Sequence, residues 1–170
     1  MKILDKNKQS STRIQKRHVP FFANTKDDTH CYQAALRMVL KYFIPSKSYS
    51  YKLLDKITEK KEGMWTWALK GNIALRKMGF DVFVFNTFDF DHFIREPKGY
   101  LRHKYGEEVA REQILHSDVD QAGIDAKQAV RELTIQKLIP TFADIGRLLG
   151  EGRLLICLVN SQKLNRKTDT

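Results

Sequence analysis

Between His30 and Phe43 the apolar residues Ala35, Leu36, Met38, Val39, Leu40, Tyr42 and Phe43 form a broad face. That pattern predicts a buried central helix, with Pro45 ending it and Asp28 or Thr29 as its N-cap. Ser50 to Thr58 predicts a short helix with Tyr51, Leu54 and Ile57 turned inward. Thr66 to Met78 predicts another, with Gly79 just past its end. Phe80 to Phe85 alternates as a strand does, placing Phe80, Val82 and Val84 on one side. Residues 86–105 are rich in aromatics and show no clear period. Glu107 to His116 and Gln121 to Leu133 read as helices. Thr141 and Asp144 form a capping box that opens a helix to Leu149, with Gly150 as its stop. Leu154 to Asn160 reads as a short apolar strand, buried on both faces.

Helices thus come first and strands cluster late. Residues 1–17 are polar and basic and read as a flexible arm; 18–170 read as one domain. Within it, Pro20 biases Val19 to extended geometry, and Asn24 to Asp28 form a polar loop. No internal repeat or low-complexity linker is visible. A sheet lacking its last strands would leave a costly open edge, so the sheet is expected to be small or the sequence a fragment.

The chain has 170 residues, 42% of them hydrophobic, enough for a core that folds alone. The longest apolar run, Leu154 to Val159, is far too short to cross a bilayer, and no secretory h-region follows Met1. A soluble, cytoplasmic protein is expected. The net charge of +10 is concentrated near the ends. Met1 to His18 carries six Lys or Arg against Asp5, and Lys163, Arg166 and Lys167 face Asp169. Such ends read as solvated arms, and no RNP, zinc-finger or helix-turn-helix pattern appears, so nucleic-acid association through the arm is a minor reading. It predicts affinity that falls steeply with salt. Cys31 and Cys157 make no CxxC pair or disulfide framework, and the five histidines are scattered. Neither a metal site nor a cofactor is expected.

Cys31 is the residue with chemistry to offer. A thiol attacks as thiolate, and a helix start favours an anion through its dipole and free N–H groups. Those N–H groups can supply half of an oxyanion hole. Asn24 is the candidate second donor, with Gln33 a weaker choice inside the helix. The plain alternative is that Cys31 is a small buried hydrophobe. Cys157, mid-strand in an apolar run, reads as inert packing. Trp65 and Trp67 read as core or interface packing, and Phe83, Phe85, Phe88, Phe90 and Phe93 as sheet and core. Asp118 and Asp120 read as helix caps.

Val19-Pro20-Phe21-Phe22, followed by Asp28-Thr29-His30-Cys31-Tyr32-Gln33-Ala34-Ala35 and Met38-Val39-Leu40-Lys41-Tyr42-Phe43, resembles the opening of the cysteine peptidases that process double-glycine leaders of bacteriocins. The resemblance runs over about residues 18–162, specific at 19–43 and loose elsewhere. It implies a papain-like α+β fold, a helical part followed by a small antiparallel sheet, truncated at the C-terminus. It implies that Cys31 attacks an amide carbonyl while a later histidine serves as base and acid. Three departures stand out. The upstream oxyanion Gln is absent, with Asn24 nearby. Tyr32 replaces the Gly after Cys. No Gly-His follows the Leu154–Asn160 segment. His30, His92, His103 and His116 are the candidates to substitute for that base, the plain alternative being that they are surface or half-buried groups. Two functions therefore compete: a cysteine peptidase-like hydrolase or acyl transferase acting on a peptide or amide, and a non-catalytic leader-binding domain.

Overall fold

The computed structural model describes residues 18–159. The expected arm over 1–17 and the basic tail beyond Leu158 and Val159 lie outside the described residues. Eight helices and two strands follow one another there. They are α1 (Cys31–Phe43), α2 (Tyr51–Thr58), α3 (Ala68–Lys77), β1 (Phe83–Phe85), α4 (Phe90–Arg95), α5 (Pro97–Tyr105), α6 (Glu107–His116), α7 (Val119–Glu132), β2 (Thr134–Gln136) and α8 (Phe142–Gly150). The chain divides after Ile139: residues 19–139 make one unit, and α8 with the segment after it belongs to another.

The expected fold class does not hold. The molecule is mostly helical, and its two strands pair in parallel, Phe83 with Thr134 and Phe85 with Gln136. No antiparallel sheet forms among the described residues. A parallel pair needs a long crossover, and here α4 to α7 supply it. The strand expected from Phe80 shrinks to three residues, because only those face a partner. The strand expected at Leu154–Asn160 is absent from its described part, which carries no strand at all. Leu158 is fully exposed and Val159 is 57% exposed, so the segment is not buried on both faces either. An apolar run becomes a strand only where another strand takes its N–H and C=O groups.

Within residues 19–139 two apolar clusters form. In the larger one, Leu69 and Ile73 of α3, Phe93 of α4 and Tyr100 and Leu101 of α5 meet the alanine-rich face of α7, Ala122, Ala126 and Ala129. Small residues on α7 let three helices approach it closely. The smaller cluster gathers Tyr32, Leu36 and Leu40 of α1, Leu54 of α2 and Leu75 of α3. Val82 packs against both. Gly79 (φ +92°) ends α3 in the left-handed region and turns the chain so that the Phe80 N–H donates to Leu75 O at 3.1 Å.

In the other unit the capping box is present: the Asp144 N–H donates to Thr141 Oγ1 at 3.2 Å, and the Thr141 N–H to Asp144 Oδ2 at 3.0 Å. No helix among the described residues is long and apolar enough to cross a membrane.

Candidate active site

α1 begins at Cys31, whose side chain is exposed. The thiol is therefore not the buried hydrophobe that a lone cysteine usually is. Neither Asp28 nor Thr29 caps the helix. The N-cap position is His30, and no side chain caps α1. The reason lies in the loop before it. Asp28 (φ 54°) adopts the left-handed conformation, its N–H donates to Thr25 O at 3.0 Å, and the chain then runs straight into His30.

Asn24 organises this loop. Its Oδ1 accepts the N–H of Thr25 at 2.8 Å and of His30 at 2.9 Å, and its Nδ2 donates to Asp28 Oδ1 at 3.3 Å. The loop thus folds Asn24 back onto the residue that precedes Cys31. Asp27 receives the hydroxyls of Thr25 at 2.5 Å and Thr29 at 2.9 Å. Those two donors, Thr25 first, hold its carboxyl down at about 2. The carboxylate and its bonds are therefore fully in place above pH 3.8 and are lost as pH falls through about 2. A Thr25→Val variant is expected to move the Asp27 carboxyl titration, followed by carbon NMR, up towards ordinary carboxylate values. An unchanged midpoint would remove Thr25 as the cause.

His30 is the second organiser, and spacing gives no hint of it. Nδ1 lies 2.8 Å from Thr25 Oγ1 and 3.0 Å from Thr29 Oγ1. Nε2 lies 3.2 and 3.4 Å from the two carboxylate oxygens of Asp55 on α2. The ring also meets Tyr51 edge-on at 5.5 Å, and the Tyr51 hydroxyl donates to Ala23 O. Both ring nitrogens are engaged, and neither is hydrogen-bonded to the Cys31 sulfur. His92, His103 and His116 have different company. His92 packs on Tyr100 and His103, and His116 faces Trp65 and Glu112.

The residues after Cys31 belong to the core. Tyr32, where the resembled family has glycine, is buried; its hydroxyl shares its one hydrogen between Ala68 O and Asn72 Oδ1, both at 3.0 Å. Burial drives its phenol far above the ordinary value. Gln33 is fully buried, and its Nε2 donates to Thr58 Oγ1 at 3.0 Å and Thr66 Oγ1 at 2.8 Å, so both amide hydrogens are used. It has none left for an oxyanion. The pair Tyr32 and Gln33 fastens the start of α1 to α2 and α3 and leaves Cys31 alone facing solvent.

Trp67 stacks on Phe93 at 5.1 Å, while Trp65 is 39% exposed. Asp118 caps α7 by accepting the Gln121 N–H at 3.1 Å, but Asp120 instead pairs with Lys98 at 2.7 Å. Cys157 is exposed, not packed. No protein-family model, curated protein or solved structure matches this chain.

Proposed function

We propose that the protein is a thiol-dependent hydrolase or acyl transferase acting on amide bonds, with Cys31 as nucleophile. The observation that supports this reading is an exposed thiol at the first position of a helix that no side chain caps and whose next three residues, Tyr32, Gln33 and Ala34, are buried. The N–H groups of such a first turn have no intrahelical acceptor and face any anion placed there. In this reading the Cys31 sulfur attacks a carbonyl carbon, and the oxyanion takes backbone N–H groups of the first turn. Asn24 adds the amide hydrogen not given to Asp28. The thiol gives its proton to water as it attacks, the amine takes a proton from water as it leaves, and water or a second acceptor resolves the thioester that remains. His30 holds the loop rather than the proton. The substrate is a peptide or related amide, and a reducing cytoplasm suits two free cysteines.

Cys31 and Cys157 are both exposed, so access does not separate them. Under mild iodoacetamide at neutral pH, Cys31 is expected to label about tenfold faster than Cys157, because thiolate character sets the rate. An activated peptide ester is expected to leave an acyl adduct on Cys31, visible by mass spectrometry and absent from Cys31→Ser. Equal labelling of the two thiols with no adduct would end the hydrolase reading. One observation favours a second reading, a non-catalytic peptide-binding domain: no described histidine is hydrogen-bonded to the sulfur. An adduct that forms but never turns over would favour it.

A further inference from the structure

At the far end of α1 from Cys31, about 20 Å along a helix of this length, lies a groove unrelated to the thiol. Its volume is about 590 Å³, within the range of ligand sites. Ile44, Tyr49, Leu53, Ile57 and Met78 make its apolar lining, with Lys47 at its edge and no carboxylate among the lining residues. Leu53 and Met78 are 41% and 42% exposed, large apolar side chains left facing water. Basic side chains crowd its surroundings. Lys52 and Lys56 flank Leu53 and Ile57 on α2, and Arg76 and Lys77 run directly into Met78. These four and Lys47 are exposed and make no ion pair among the described residues. Of the carboxylates on and just after α2, Asp55 is paired with His30 and Glu59 with Lys70.

We propose that this groove docks an acidic amphipathic peptide segment of another protein, its apolar stripe on Leu53, Ile57 and Met78 and its carboxylates on the lysine rim. Charge selects this occupant over the others. The chain's own ends are basic, six Lys or Arg against one Asp over Met1–His18 and three against one near Thr170, and meet the rim with like sign. A second copy carries the same net +10. Nucleic acid has the right sign but no aliphatic stripe for a floor of Leu, Ile and Met. An anionic bilayer has both features but presents a broad surface to a concave groove.

The test uses the full chain and a fluorescein-labelled helical peptide of about 14 residues, with leucines at helical spacing and glutamates elsewhere. Saturable anisotropy is expected, weakening as salt rises because the rim pairs are exposed. Leu53→Asp is expected to weaken binding about tenfold or more, as loss of a central apolar anchor does. Lys47→Glu with Lys77→Glu is expected to do likewise while leaving the circular dichroism unchanged. Cys31→Ser is expected to bind as the parent does. Any one of several results overturns the proposal: equal binding of a peptide with lysines for the glutamates, indifference to both groove variants, or no saturation. So does tighter binding, lost in Leu53→Asp, to single-stranded DNA or to vesicles of anionic lipid. A dimer in sedimentation that Leu53→Asp dissolves would assign the groove to a second copy instead.

Discussion

Replacing Phe93 with alanine is expected to destabilise the protein by about 3–5 kcal/mol, the usual range for emptying a buried aromatic site. Phe93 has no exposed surface. Trp67 lies parallel to it at 5.1 Å, and Phe88 and Tyr100 meet it edge-on at 4.9 and 5.8 Å. Each of those rings is itself held by a neighbour, Phe88 by Tyr100 at 4.7 Å and by Phe90 at 5.0 Å. They cannot all close on the space that Phe93 leaves, so a cavity remains and its cost adds to the lost transfer free energy. Phe85 is the control. Among the described residues it stacks only on Phe83, at 6.4 Å, and it is half-buried, so its alanine variant should cost far less. Urea midpoints of the two variants decide the matter. Similar losses would mean that the aromatic cluster is not the centre of the larger core.

Tyr32 and Gly71 should show a large coupling in a double-mutant cycle. A Cβ built on Gly71 would lie 2.4 Å from the Tyr32 hydroxyl oxygen and 2.8 Å from the ring carbon that bears it. No real contact is that short, and the hydroxyl cannot swing aside without leaving both Ala68 O and Asn72 Oδ1. Gly71→Ala alone is therefore expected to cost about 1–3 kcal/mol, as overpacking does. Tyr32→Ala alone empties a buried ring site and should cost about 3–5 kcal/mol. With Tyr32 already alanine, the clash is gone and Gly71→Ala should become neutral or stabilising, since alanine favours a helix interior by about 1 kcal/mol. Additive losses in the cycle would show that the ring and the glycine do not touch.

Much of the helical framework was legible. α6 runs from Glu107 to His116, the span its pattern predicts, and the Thr141–Asp144 box opens α8 as expected. Local signals sufficed there because each helix announces its own start. α4 and α5 stayed hidden because aromatics occupy so many positions that no face stands out. Their starts were nevertheless marked, by the Asp89 side chain accepting the His92 N–H at 3.0 Å and by Pro97 as the first residue of α5. The strands differ from their expected places for another reason. Thr134–Gln136 is mostly polar and pairs because β1 lies beside it, whereas Leu154–Val159 is apolar and has no such neighbour among the described residues. Pairing is a tertiary fact that composition does not carry. At the candidate site, periodicity put Cys31 in the first turn of a helix, whereas the N-cap expected at Asp28 or Thr29 falls at His30; the backward fold of Asn24 was a natural consequence of a short polar loop. The contact of His30 with Asp55 was not readable, because it spans two helices and depends on how they pack.

The pairing of Val84 with Ile135 closes a path that runs through four helices. Loop-closure entropy must be met before such a contact yields anything, and three residues of ladder return little. The two strands should therefore join only after α4, α5 and α7 have already brought their ends together. In refolding, protection of the Asn86 amide, which donates to Gln136 O at 3.2 Å, should lag behind protection within α7. The little sheet is then a clasp that snaps shut last and opens first, and its amides are the natural early reporters of partial unfolding.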